Sequence, residues 1–96
     1  MESEKATEEY LREEIRKAGG IAYKFVSPGQ PGVPDRIVCL PNGRIFFVEL
    51  KSEGKKSTDQ QRRQQDRLRR LGQRVYTDID TKAKVREVIT HELQTP

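Results

Sequence analysis

A single cysteine, a single histidine and no long apolar run set the first limits on this 96-residue sequence. One cysteine cannot form an internal disulfide, so Cys39, in a predicted central strand, is expected to be a buried, reduced thiol of a cytoplasmic protein. His91 has no cysteine or histidine neighbour, which removes the ligand spacing of a zinc site. No Ser-His-Asp or Cys-His arrangement, glycine-rich nucleotide loop, internal repeat or coiled coil is present. No stretch approaches the ~20 apolar residues of a membrane span, and residues 1 to 9 are acidic and polar, unlike a signal peptide. The apolar fraction is only 32%. A chain this short buries roughly 60 to 65% of its unfolded surface, so stability should be modest and a partner subunit or bound metal would add to it.

Charge is abundant instead. Asp, Glu, Lys and Arg make up 35% of the chain, the net charge is +4 and the isoelectric point is near 9.4. That balance suits a polyanionic partner, although many proteins with a mildly basic pI bind no nucleic acid. The length predicts a single domain over residues 1 to 96, with residues 1 to 6 and 94 to 96 frayed.

The most informative stretch runs from Pro34-Asp35 to Glu49-Leu50-Lys51. Residues 36 to 40 and 44 to 50 are apolar, β-rich runs, and Pro41-Asn42-Gly43 between them is turn chemistry, so a β-hairpin is predicted. With a loop over 41 to 43, Asp35 lies opposite Glu49, and alternation sends Lys51 to the same face. Strands apolar on both faces are expected to be covered on both, where carboxylates are costly unless neutralised. The carboxylates of Asp35 and Glu49 with the carbonyl of Leu50 are hard oxygen donors for Mg²⁺ or Mn²⁺, and Lys51 would stand beside the ion. The alternative is a turn-forming Asp35 with Glu49 and Lys51 as a solvated pair, because D…ExK alone is a weak signal.

Around this core a helix is predicted from a cap at Thr7, through Leu11, Ile15 and Ala18, to Gly19-Gly20. Glu8 falls on its apolar face and Glu9 opposite, which marks Glu8 either as a third carboxylate facing the cation or as an acid stabilised by the helix dipole. A strand over 21 to 26 leads into a loop stiffened by Pro28, Pro31 and Pro34. After a basic loop with Lys55 and Lys56, Thr58 and Gln61 stand at capping-box spacing and open a helix that ends at Gly72. Its inward face, through positions 61, 64, 65, 68 and 71, starts with three glutamines and ends in Leu68 and Leu71. Its outer face is strongly positive, and Arg62, Arg63, Arg67 and Arg70 are the candidate phosphate contacts, with Lys55 and Lys56. A strand over 73 to 79 and a helix capped by Thr81, with Val85, Val88, Ile89 and Leu93 inward, complete the chain.

Pro34-Asp35, the hairpin and Glu49-Leu50-Lys51 resemble the PD-(D/E)xK nuclease signature. Together with Gly19-Gly20, Lys24-Phe25, Ser27-Pro28-Gly29, Gly32-Val33, Gly54-Lys55-Lys56, Gln61, and Leu68 with Leu71-Gly72, the chain resembles the VRR-NUC family of virus-type replication-repair nucleases over about residues 5 to 80. The resemblance implies an α/β restriction-endonuclease-like core, a mixed central sheet flanked by helices. It also implies a Mg²⁺- or Mn²⁺-dependent endonuclease in which Asp35 and Glu49 hold the metal, Lys51 assists the attacking water, and Gln61 and Glu8 support them. Substrates would be branched DNA such as Holliday junctions or flaps, products would carry 5′-phosphates, and a stand-alone member would work as a homodimer in the cytoplasm of a bacterium or phage-infected host. Tyr76, Val85, Val88 and Ile89 are candidates for the dimer surface or for the monomer's own core. The rivals are a non-catalytic DNA-binding module on a nuclease fold and a flap- or restriction-type nuclease.

Overall fold

The structure, a computed structural model, describes residues 1–95; Pro96, part of the expected frayed end, lies outside the described residues. The elements are α1 (Glu4–Lys17), β1 (Ile21–Lys24), β2 (Arg36–Leu40), β3 (Arg44–Leu50), α2 (Asp59–Arg70), β4 (Val75–Ile79) and α3 (Lys82–Gln94). The strands form one sheet in the order β1-β2-β3-β4. β1, β2 and β3 pair antiparallel, whereas β4 joins β3 in parallel after the crossover through α2. This is the predicted mixed sheet flanked by helices. The β2–β3 register pairs Arg36 with Val48 and Leu40 with Arg44, as a loop over 41 to 43 requires. That loop is a short 3₁₀ turn in which Asn42 (φ 67°) and Gly43 (φ 76°) both take left-handed backbone, the twist that closes a tight hairpin.

The core lies between one face of the sheet and helices α1 and α3. Leu11 and Ile15 of α1 and Val85 and Val88 of α3 meet Val38, Leu40, Phe46, Val48 and Leu50. Gly20 follows α1 because a side chain there would clash: a Cβ would sit 2.3 Å from the carbonyl oxygen of Cys39. Helix α1 begins earlier than its apolar spacing predicts. Ser3, not Thr7, is the cap and accepts from the N–H of Ala6, while Thr7 is wholly buried inside the helix. Residues 2 to 6 are therefore not a frayed end: the N–H of Glu2 donates to Glu53 Oε1 at 2.8 Å, and Glu2 Oε1 accepts from the N–H of Lys82 at 2.9 Å.

The second face of the sheet is covered less than its apolar pattern predicts. Ile21, Tyr23, Ile37, Cys39, Ile45 and Phe47 share it by register, and Ile21, Tyr23 and Ile45 are each about half exposed. Cys39 is accordingly half-buried rather than enclosed. The ends of the last two helices also depart from expectation. Leu71 and Leu93 are exposed, and in α3 the inward position belongs to Glu92. Its carboxylate accepts from Arg74 Nε at 2.7 Å and from the Tyr76 hydroxyl, so a paired acid takes the place of a leucine. Burial pushes this carboxyl up, but Arg74 and Tyr76 outweigh it and hold Glu92 below the usual range. Val85 and Val88 are buried in the monomer and Tyr76 packs edge-on to Phe46, so these candidate interface residues serve the chain's own core.

Candidate active site

The site forms where β2 begins and β3 ends, because the hairpin register sets Asp35 across from Glu49. The N–H of Leu50 donates to Asp35 Oδ2 at 2.7 Å and fixes that carboxylate against β3. Glu49 is 1% exposed. Burial, then the neighbouring Asp35 carboxyl and its charge, push Glu49 up to about 9 in spite of Lys51. A bulge follows in the neighbouring strand: β3 and β4 change register between Val48 and Leu50, and Asp78 takes left-handed backbone (φ 54°). Asp78 Oδ1 accepts from the N–H and the hydroxyl of Ser57, and Ser57 Oγ accepts from the buried Gln65 at 2.9 Å. Gln65, on the inner face of α2, thus docks on the bulge through Ser57, a polar contact at a position where an apolar residue would otherwise be expected.

Gln61 serves the helix and the site together. Its N–H donates to Thr58 Oγ1, and its Oε1 accepts from the N–H of Thr58 at 2.9 Å, completing the capping box. The same Oε1 accepts from Lys51 Nζ at 2.6 Å, while Gln61 Nε2 reaches Glu49 Oε2 at 3.5 Å. Asp35, Glu49, Lys51 and Gln61 are therefore brought together.

Glu8 is placed differently. Its Oε2 accepts from Arg36 Nε at 3.0 Å, so on the apolar face of α1 it is a paired acid. The acid whose charge is felt by the pair is Glu4, one turn earlier, which the late predicted start of α1 left out. The Glu4 carboxyl is raised by partial loss of solvent and by Asp35, with Lys51 opposing, and Glu49 in turn feels Glu4. The signal that could have found it is the capping serine at position 3, followed by acids at 4 and 8 on one helical face.

The donor set fits a divalent cation. Glu49 Oε1 is buried without a hydrogen-bond partner, beside a second carboxylate, and such an oxygen is satisfied by a proton or a cation. Among the described residues no three acidic, histidine or cysteine side chains converge into a complete cage. Two carboxylates with water and substrate filling the remaining positions are what Mg²⁺ accepts.

The basic residues divide into two groups. Arg62 pairs with Asp59 and donates to the carbonyl of Ser57, so this candidate phosphate contact is already engaged. Arg69 pairs with Asp66 and donates to the carbonyl of Val75. Arg63, Arg67 and Arg70 are exposed along one stripe of α2, lining a shallow groove, with no acidic partner within 4.0 Å among the described residues. Gln30 of the proline-rich loop accepts from Arg67 Nη1 at 3.1 Å, which ties that loop to the same stripe. Lys55 and Lys56 are exposed in the loop after Lys51.

A mixed four-stranded sheet with Asp35, Glu49 and Lys51 gathered at one end of its hairpin defines the PD-(D/E)xK-like class of α/β fold. No family model matches the chain. A solved structure described as a VRR_NUC domain superposes with a TM-score of 0.85 at 33% identity, covering 95% of this chain and 98% of that one. The "Putative nuclease p44" of Acyrthosiphon pisum secondary endosymbiont phage 1 is 58% identical over 72 residues, 75% of this chain and 77% of that protein. The chain belongs to the VRR-NUC family. No helix among the described residues is long and apolar enough to cross a membrane.

Proposed function

We propose that this chain, acting as a single domain, is a Mg²⁺- or Mn²⁺-dependent DNA endonuclease that cuts branched DNA, Holliday junctions in particular, as a homodimer in the cytoplasm of a bacterium or phage-infected host. The observation that carries the reading is Glu49: a buried acid with an unpartnered oxygen beside Asp35, two residues before Lys51. A purely binding module would gain nothing from two acids facing phosphate. The name of the phage relative and the structural likeness support the nuclease class.

Asp35 and Glu49 would hold the ion, with Glu4 adding negative charge from α1. The cation, when bound, lowers the pKa of water and offsets charge building on the phosphate. Lys51 has three N–H donors and directs one to Gln61, which leaves the others for the attacking water and the phosphate oxygens. Gln61 holds the ammonium in place while its own orientation is fixed by Thr58. Incubation with duplex, flap and four-way-junction DNA in Mg²⁺, Mn²⁺ or EDTA tests the activity. Cleavage with either metal and none in EDTA is expected; no cleavage of any substrate would reject it.

Affinity for DNA should come from outside this centre. Alanine at Arg63 or Arg70 should each reduce the slope of log affinity against log salt by about one unit, the loss of one phosphate contact, whereas Arg62→Ala should change it little. Equal slopes in all three variants would remove the stripe from the DNA path.

Dimerisation would bury the open sheet face. A half-exposed apolar surface of Ile21, Tyr23 and Ile45 on one face of a small domain favours isologous pairing. Two-fold symmetry would present two sites to the two strands of a junction. Light scattering should give about twice the 11.1 kDa chain mass, and Ile45→Glu should return a monomer that has lost paired incision. A wild-type monomer that cuts flaps and spares junctions would reject the dimer and the junction preference together.

A further inference from the structure

We propose that Glu8 is a positioning residue: its ion pair with Arg36 locks the first turn of α1 onto the sheet next to Asp35 and so directs Glu4, one turn earlier on the same helix face, toward the end of the hairpin that carries the two acids. The proposal rests on the nuclease reading for what the site does, and on geometry alone for the clamp. Arg36 follows Asp35 directly, and its side chain is 12% exposed. The guanidinium is held at two points: Nε donates to Glu8 Oε2 at 3.0 Å and Nη1 donates to the carbonyl of Ala22 at 3.1 Å. It therefore sits over β1 and β2 with its orientation fixed, and Glu8 docks on a rigid base.

Helical spacing does the rest. Residues four apart share a helix face, so fixing Glu8 on the residue after Asp35 fixes which way Glu4 faces one turn earlier. A second anchor holds the other side of that turn: the Glu2 N–H on Glu53 Oε1, the Glu53 N–H on the carbonyl of Glu2 at 3.1 Å, and Glu2 Oε1 on the N–H of Lys82. Such anchoring matters because the charge of Glu4 acts on Glu49 and is itself acted on by Asp35. Like charges repel, and an untethered helix end would turn its carboxylate toward water. The pair also explains a glutamate among Leu11 and Ile15 without assigning it to a ligand.

Mn²⁺ binding to the purified protein by isothermal titration, together with amide hydrogen exchange over residues 4 to 8, separates the possibilities. Glu8→Ala and Arg36→Ala should each weaken Mn²⁺ roughly ten-fold, the usual scale for groups that orient ligands, and should speed exchange in the first turn. The double variant should be no worse than either single one, because both remove the same clamp. Glu8→Gln keeps an acceptor for Arg36 and should bind Mn²⁺ close to wild type. If Glu8→Gln is as weak as Glu8→Ala while Arg36→Ala binds normally, Glu8 is a ligand and the proposal is overturned. Unchanged affinity and exchange in every variant would overturn it as well. If the wild-type chain binds no Mn²⁺, the metal-dependent nuclease reading fails, and the exchange rates of the same variants still decide the clamp.

Discussion

Alanine at Glu49 or at Lys51 should lower kcat at least about 100-fold, the scale on which a single preorganised electrostatic group acts, while DNA affinity stays within about three-fold of wild type because the exposed arginines of α2 lie outside the pair. The two variants should fail for different reasons. Glu49→Ala removes the buried oxygens that would hold the cation, so Mn²⁺ affinity should collapse with activity. Lys51→Ala leaves both carboxylates in place and should still bind Mn²⁺. It would remove the charge proposed to meet negative charge building on the phosphate. Single-turnover cleavage of a labelled junction, with Mn²⁺ titration alongside, reads both effects. Cutting at the wild-type rate in either variant would end the assignment of these residues.

Without metal, the same glutamate should make the protein less stable as pH rises. Folded Glu49 titrates near 9 because of burial and Asp35, against an ordinary value of 4.5. Between those values the folded chain keeps a proton that the unfolded chain has released, so the contribution of Glu49 to stability in EDTA is fully present below about 4.5 and is lost as pH climbs toward 9. Glu49→Gln keeps the shape and removes the ionisation. In EDTA at pH 8 it should be more stable than wild type by roughly 1–4 kcal/mol, the range seen when a buried charged group is replaced by a neutral one that fits. Mn²⁺ should reverse the order, stabilising wild type and more so at pH 8 than at pH 6, because the ion competes with the proton that Glu49 otherwise keeps. Thermal melts of both proteins at the two pH values, with EDTA or Mn²⁺, isolate the contribution of this one residue. A glutamine variant whose EDTA melts track wild type at both pH values would show that Glu49 ionises without hindrance.

The hairpin was legible in the sequence because its information is local. Turn residues at 41 to 43 set the register, the register put Asp35 across from Glu49, and alternation brought Lys51 beside them. The capping box of α2 was legible for the same reason, and it placed Gln61 on the site. What escaped depends on parts of the chain far apart. The start of α1 is decided by Glu2 reaching Glu53 and Lys82, so apolar spacing put it at Thr7 and missed Glu4. The inward turn of Glu92 depends on Arg74 and Tyr76 arriving from β4 and the residue before it. The open sheet face was misread because an apolar pattern reports that a surface avoids water and does not say whether this chain or another covers it.

The hydrogen bond from the backbone of Lys82 to Glu2 joins positions 80 residues apart, and this has a consequence for the order of events during synthesis. The hairpin that carries both acids and the lysine closes a short loop and can form early, soon after it leaves the ribosome. The bond from Lys82 to the arm that carries Glu4 cannot form until α3 has begun to emerge. Until then the first turn of α1 would be held by Glu53 and Arg36 alone, and the arrival of α3 adds a further anchor.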